Sequence, residues 1–470
     1  MRTQQEQERP NVIVFFTDQQ RWDTTGIHGN PLGLTPNFDR FARYGTDVHY
    51  SFTCQPVCGP ARSCLQTGCY ATQTGVYRNG LSLRRDDVTL AKELKRAGYS
   101  TGYIGKWHLN SGDFGAVPTE DRAGYDGWLA ANCLEFTSLP YDTVLYNEQN
   151  ESVKLPGYRV DALTDAAIRF IDQRQHERFF LFVSHLEPHH QNQWDNYPAP
   201  RGYESDYRGA WVPPDLAAME GSASQHLAGY CGMVKRLDEA FGRLLDSLIS
   251  LGIEDKTIVL FSSDHGCHFK TRNAEYKRSP HDSSLRVPTA LSGPGFVGGG
   301  RFNGLVSIVD LAPTILDACG LEVPVTMQGR SFMQFIRCPH EASPGEEPWP
   351  REVFFQTSEE EVGRGLRTKR WKYSVVAPSA EPFADDHAEE YVEKYLYDLQ
   401  SDPYELSNLI SLPSHKGVRE ILRARLKEYI YRVEGRDASI LPVKSVASAG
   451  SDNPQLWGAG QRQVFAGDIE

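Results

Sequence analysis

Residues 11–19 read Asn11-Val12-Ile13-Val14-Phe15-Phe16-Thr17-Asp18-Gln19. The apolar run is continuous and bounded by Pro10 and a polar cluster, whereas a strand with one wet face would alternate. It therefore predicts a strand buried on both sides, inside a sheet. Open α/β sheets bind ligands beyond the carboxyl ends of their strands. Asp18 and Gln19 stand at that end and offer a carboxylate and an amide oxygen to a hard cation; Asp18 is equally suited to capping the next turn.

Outward from this stretch the same signal recurs. Residues 99–104, 179–184 and 257–263 read as further buried strands, and each runs into residues able to do chemistry. These are Gly105-Lys106-Trp107-His108, His185-Leu186-Glu187-Pro188-His189-His190 and Asp264-His265-Gly266. If the extended conformation persists beyond 104, Lys106 and His108 project to one side. Asp264 and His265 repeat the arrangement of Asp18 and Gln19, and two such pairs are hard to explain as caps. Three histidines after a strand suit a metal, but they lack the HExxH spacing of a helical zinc site. Helical periodicity with caps predicts helices at 35–45, 88–98, 161–173 and 222–251. The alternation is that of an α/β chain. Residues 109–160 and 194–214 show little periodicity and are expected to be loops over the site.

Pro56-Val57-Cys58-Gly59-Pro60-Ala61-Arg62-Ser63-Cys64-Leu65-Gln66-Thr67-Gly68 predicts a short helix, with Pro60 near its start and Gly68 at its stop. Cys58 then lies at the helix N-terminus, where unpaired N–H groups favour an anion, and Arg62 adds a forked donor set one turn on. The bland alternative is a buried structural cysteine in a tight loop.

Cys58-x-Pro60-x-Arg62 followed by Leu65-x-Thr67-Gly68 resembles the signature of the type I sulfatases, whose cysteine is oxidised after translation to formylglycine. Other blocks follow in that family's order. Gly105-Lys106-Trp107-His108 is similar to its Gly-Lys-Trp-His, Pro188-His189 to a sulfate-contacting step, and Lys277, nine residues before Arg286-Val287-Pro288, to its second active-site lysine. Residues 305–320 resemble its structural Val-Asp-Leu-Ala-Pro-Thr helix. The resemblance implies an alkaline-phosphatase-like fold, with a large mixed, mostly parallel central sheet flanked by helices. Short strands at 353–357, 365–368, 371–373 and 396–409 and a helix at 416–433 resemble that family's smaller C-terminal antiparallel-sheet α+β subdomain. The expected division is 1–350 and 351–470, with a Pro/Glu-rich linker at 339–350 and an extended tail that wraps loosely or joins a neighbouring subunit of a homo-oligomer.

The same resemblance implies hydrolysis of a sulfate monoester by formylglycine made from Cys58. It implies a Ca2+, with Mg2+ or Mn2+ as alternatives, held by Asp18, Gln19, Asp264 and His265 and touching residue 58. Arg62, Lys106 and Lys277 would neutralise the anion, His189 or Lys277 would protonate the leaving alcohol, and His108 would act as base. A formylglycine-generating or radical maturation enzyme is an implied partner. The sequence departs from the family pattern at Gln191, where Pro is common, and at His281-Asp282-Ser283-Ser284, where Tyr-Glu-Gly-Gly is common. A sulfated oligosaccharide is the first substrate expectation and a small aryl or choline sulfate the second, with His185, His190, His268, Arg272, Asn273 and His281 as candidate substrate contacts. Rival readings are a phosphonate monoester or phosphodiester hydrolase, against which the Lys106-x-His108 pair argues, and a non-catalytic glycan-binding protein with unmodified Cys58.

Composition narrows the field. Sixty-one acidic against 49 basic residues leave a net charge of −12, which argues against a nucleic-acid binder. With 40% hydrophobic and 23% charged residues and no run near the roughly 18 apolar residues of a membrane span, the chain reads as globular and free of the membrane. Residues 1–10 lack the apolar core of a signal peptide, so the expectation is a cytoplasmic protein, or a periplasmic or secreted one if a leader has been removed. Nine cysteines, an odd count, leave at least one thiol unpaired, and the separations of 4, 6 and 5 among Cys54, Cys58, Cys64 and Cys69 do not form a zinc knuckle.

Overall fold

The computed structural model describes residues 9–337 and 348–443, so residues 339–347 of the linker expected at 339–350 and the tail from 444 onward lie outside the described residues. Ten strands form one sheet. They are β1 (Asn11–Thr17), β2 (Thr46–Phe52), β3 (Ser100–Lys106), β4 (Gly127–Ala131), β5 (Thr143–Tyr146), β6 (Ser152–Leu155), β7 (Phe179–Ser184), β8 (Thr257–Ser263), β9 (Ala290–Ser292) and β10 (Gly300–Ser307). Their order is β10-β2-β9-β8-β1-β7-β3-β4-β5-β6. The centre, β8-β1-β7-β3-β4, is parallel, and β10 pairs parallel with β2. Antiparallel pairings involve β9 on one flank and β5 and β6 on the other.

Because side chains alternate across a strand, β1 feeds two cores at once. Ile13 and Phe15 pack on one face with α1 (Pro36–Tyr44), through Phe38 and Phe41. Val12, Val14 and Phe16 face the other way, towards α2 (Cys58–Thr67) and α3 (Leu90–Arg96). The first face is completed by α4 (Arg159–Arg174) and by α5 (Ala223–Leu251), whose apolar stripe of Leu237, Phe241, Leu244 and Leu248 ends at Gly252 in the left-handed conformation. On the second face lies α6 (Leu311–Ala318). A strand covered on both sides can be apolar throughout, which is why residues 11–17 carry no alternation.

The smaller sheet comprises β11 (Glu352–Thr357), β12 (Gly363–Thr368), β13 (Trp371–Val376), β14 (Glu390–Asp398) and β15 (Ser439–Leu441). Its first four strands are antiparallel, and β15 adds a short parallel edge. It is backed by α7 (Lys416–Glu434). Phe354, Tyr373, Leu422 and Leu426 belong to the same apolar cluster as Val12 and Leu65, so the two sheets share one core. Polar contacts reinforce the junction. Asp282 meets Lys372 and Arg367, the Glu405 carboxylate accepts from the Asp282 backbone N–H and pairs with Lys372, and Arg272 donates to the carbonyls of Tyr404 and Glu405.

Two expectations are corrected. Residues 109–160 are not loops alone: β4, β5 and β6 extend the sheet there. The strands β5 and β6 are four residues each at a half-exposed edge, too short to leave a period. The extended conformation expected to run through residues 106–108 breaks, because His108 has φ 58. Residue 105 must be glycine: its φ is +109, and a Cβ there would meet the Ser184 carbonyl oxygen at 2.0 Å. Among the described residues no helix is long and apolar enough to cross a membrane, and all eight described cysteines are free thiols.

Candidate active site

Four strand ends and one helix start converge. Asp18 follows β1, Lys106 ends β3, the segment carrying His189 follows β7, and Asp264 and His265 follow β8. Cys58 is the first residue of α2, capped by Val57 in extended conformation. One ligand atom from each of Asp18, Cys58, Asp264 and His265 lies within 4.8 Å of the others, and all four side chains are buried. The Cys58 Sγ is 3.6 Å from Asp18 Oδ1 and 3.3 Å from His265 Nε2. Gly59 leaves room here, since a Cβ would meet the His108 carbonyl oxygen at 3.2 Å.

The donor set fits a divalent cation. His265 Nδ1 is 2.9 Å from the Gly266 carbonyl and so donates its proton there, which leaves the Nε2 lone pair facing Asp18 Oδ1 at 3.6 Å and Asp264 Oδ1 at 3.5 Å. Three acceptors turned on one another repel unless a cation lies between them. Gln19 adds a fourth acceptor, its amide oxygen. Its Nε2 donates to Tyr197 Oη at 2.9 Å, while Oε1 is buried without a hydrogen-bond partner. Burial and the adjacent Asp18 push the Asp264 carboxyl up to about 6. Burial and Cys58 would raise Asp18 too, but Lys106, His189 and Arg62 hold it well below the usual carboxylate range. Oxygen-rich ligation with one imidazole suits Ca2+, Mg2+ or Mn2+ better than a thiophilic ion.

Arg62 departs from expectation. Its guanidinium is taken up by the protein's own carboxylates; Nη2 forks onto Asp18 Oδ2 at 3.0 Å and Asp264 Oδ2 at 3.1 Å, and Nη1 reaches Ser184 Oγ and the Lys106 carbonyl. It orients both carboxylates from behind. Lys106 Nζ lies 2.8 Å from Asp18 Oδ2 and 3.0 Å from Glu135 Oε1. Glu135 also stands 3.8 Å from His108 Nδ1. Burial would lower the His108 pKa, but Glu135, with Cys133 and Cys58 adding to it, brings the ring up to about 10. Glu135 was invisible to sequence reading, because it sits in a one-turn helix in the stretch without periodicity.

Lys277 Nζ lies 2.8 Å from Cys58 Sγ and 3.1 Å from His189 Nε2. The His189 Nδ1–H donates to the His190 carbonyl at 2.7 Å, so Nε2 accepts from the ammonium. Burial and Lys277 lower the His189 pKa and keep the ring neutral. The cysteine itself is pulled down: burial would raise its pKa, but Lys106, Lys277 and His265 hold the thiol well below the ordinary value.

The remaining candidates divide. His190 stacks on His189 at 4.3 Å and borders the site. His268 and Asn273 bond the Lys277 carbonyl, Arg272 holds the smaller sheet, and His281 is engaged by Tyr397 and Ser279. These four hydrogen-bond carbonyls and hydroxyls around the Lys277 loop. His185 packs on Phe15 at 4.6 Å, and neither ring nitrogen has a partner. Burial and Arg159 push its pKa from 6.5 to about 3. The folded protein thus binds fewer protons than the unfolded chain across that window, and stability present above about pH 6.5 is lost as pH falls. His185→Leu is expected to flatten the stability curve between about pH 6 and pH 4 by up to about 1.4 kcal/mol per pH unit. Denaturant melts of both proteins across that range test this; parallel curves would refute it.

Comparison with known proteins places these features in context. The sulfatase family model matches residues 10–321, and a second, N-sulphoglucosamine sulphohydrolase, C-terminal, matches residues 275–432. An ulvan-active sulfatase from Formosa agariphila is 29% identical over 444 residues, spanning 90% of this chain and 82% of the relative. An N-acetylglucosamine-6-O-sulfatase from Bacteroides thetaiotaomicron is 25% identical over 516 aligned residues, spanning 90% and 88%. A solved structure in complex with its substrate D-glucosamine-2-N,6-O-disulfate superposes with a TM-score of 0.74 at 23% identity, covering 91% of this chain and 99% of the other.

Proposed function

Because this chain belongs to the sulfatase family and is a sulfuric ester hydrolase, we propose that it removes sulfate from a sulfated carbohydrate, with Cys58 as the precursor of its nucleophile. The single observation that carries this reading is the crowding of Lys277, His265 and Asp18 around one buried sulfur at the start of α2. The names of the two relatives support a carbohydrate substrate.

Asp18, Gln19, Asp264 and His265 would hold a Ca2+, whose charge would draw electron density from a sulfate oxygen. Formylglycine at position 58 would supply, once hydrated, an oxygen nucleophile that a thiol cannot provide. The chain's own groups do the rest. Arg62 fixes both carboxylates in register. Lys106 and Lys277 present ammonium groups to the ester oxygens without reorganising as charge moves, which is where fixed dipoles accelerate most. Lys277, with neutral His189 accepting behind it, would give a proton to the departing ester oxygen, which leaves as the sugar hydroxyl. His108, which Glu135 keeps protonated, would donate a hydrogen bond to the residue 58 hydroxyl and would serve as its base only after giving up that proton.

Matured protein should release inorganic sulfate from a sulfated aminosugar with a kcat/KM of about 10⁴ M⁻¹ s⁻¹ or more, and turn over an aryl phosphonate far more slowly. Faster phosphonate turnover would assign the chain to phosphonate ester hydrolysis, and sugar binding without turnover would make it a glycan-binding protein.

A further inference from the structure

The second cluster of ligating side chains lies apart from this site, at the start of β2. His28 Nε2, Asp47 Oδ1 and His49 Nδ1 are all buried and all lack a hydrogen-bond partner. One ligand atom from each lies within 4.8 Å of the other two. His28 Nε2 is 3.7 Å from Asp47 Oδ1, and His49 Nδ1 is 3.8 Å from Asp47 Oδ2. The His28 and Asp47 side chains are 1% and 2% exposed, and His49 is 20% exposed.

His28 Nε2 makes no hydrogen bond to Asp47 Oδ1, 3.7 Å away, as an N–H there would be expected to. With the Thr25 Oγ1 proton given to the Trp22 carbonyl at 3.2 Å, Oγ1 accepts from His28 Nδ1 at 2.7 Å, and the ring proton resides on Nδ1. An imidazole lone pair therefore faces a carboxylate oxygen with no proton between them. The carboxylate is itself steered: Arg301 Nε donates to Asp47 Oδ2 at 2.9 Å and leaves Oδ1 free. Arg301 Nη2 also holds the Ile27 carbonyl, in the turn that carries His28. Such outer partners are what orient imidazole and carboxylate ligands in metal sites.

We propose that His28, Asp47 and His49 bind a borderline transition ion such as Zn2+, which staples the 26–28 turn to β2. Two imidazoles and one carboxylate match the donors Zn2+ prefers and are too few in oxygen for Ca2+ or Mg2+. Ligand atoms about 2.0–2.1 Å from a tetrahedral Zn2+ stand roughly 3.3 Å apart, so the 3.7 Å between His28 and Asp47 closes by about 0.4 Å, and the remaining separations, within 4.8 Å, by at most about 1.5 Å. Three protein ligands leave one position for water, on the side where His49 reaches solvent. Arg286 and Arg301 oppose the ion's charge, and Asp47 offsets one of them. Arg286 lies over Trp22 at 3.9 Å and Tyr50 at 4.8 Å and donates to the His49 carbonyl, so its position is set by the protein.

The test is equilibrium dialysis of the full chain against Zn2+ in excess Ca2+, with metal counted per chain. Wild type should hold one Zn2+ that survives in Cys58→Ser. His49→Gln and Asp47→Asn should weaken it about tenfold or more, with the far-UV spectrum retained. Added Zn2+ should raise the melting temperature of wild type and leave that of His49→Gln unmoved, while sulfate ester turnover by His49→Gln stays near wild type. Binding that is absent in wild type, lost in Cys58→Ser, or equal in all variants would overturn the assignment.

Discussion

Cys58→Ala is expected to fold and to turn over a sulfate ester about 10⁵- to 10⁶-fold more slowly than the matured enzyme, the scale on which removal of a nucleophile acts. The fold should survive because residue 58 contributes one small side chain at the first position of α2, while Ala61, Cys64 and Leu65 carry that helix's apolar contacts. What disappears is the group towards which Lys277, His265 and Asp18 are turned. Steady-state release of sulfate measures the loss, and a peptide mass spectrum across residue 58 reports whether wild type carries the aldehyde. Turnover by the alanine variant within about tenfold of wild type would remove residue 58 from the chemistry.

Glu135→Gln should lower kcat about 10²- to 10³-fold with a smaller change in KM, comparable to deleting one preorganised electrostatic contact. Glu135 touches two catalytic candidates at once, Lys106 at 3.0 Å and His108 at 3.8 Å. The amide is nearly isosteric but neutral, so Lys106 would lean further on Asp18, and His108 would lose the anion that favours its protonated form. Breaking one side of a buried ion pair costs about 3–5 kcal/mol, so the variant should also melt earlier. Kinetics and denaturant melts on the same preparation separate the two effects. A kcat within about threefold of wild type, with stability reduced, would restrict Glu135 to a structural role.

The two effects also mark how far the sequence could be read. Strands such as β1 and β8 are buried on both faces, so their apolar runs state both what they are and where they sit. The residues at their ends follow directly. The Cys58 helix was equally plain, since Pro60 and Gly68 are local signals. The missing parts depend on partners far away in the chain. Arg62 looks like an anion donor until two buried carboxylates, Asp18 and Asp264, claim it from 44 and 202 residues away. Glu135 has no period around it. His268, Arg272, Asn273 and His281 flank the metal pair in sequence, yet carbonyls and hydroxyls of their own surroundings use them first.

The junction between the two sheets has a consequence for dissection of the molecule. Lys277 is delivered by a loop whose outer side is clasped by Arg272 on Tyr404 and Glu405, by Arg278 on Glu359, and by Asp282 on Arg367 and Lys372. A chain cut near residue 350 would keep every strand-tip group and yet surrender the grip that aims this ammonium. The smaller sheet is thus no appendage to be trimmed or swapped at will, and any chimera must carry the matching loop with it.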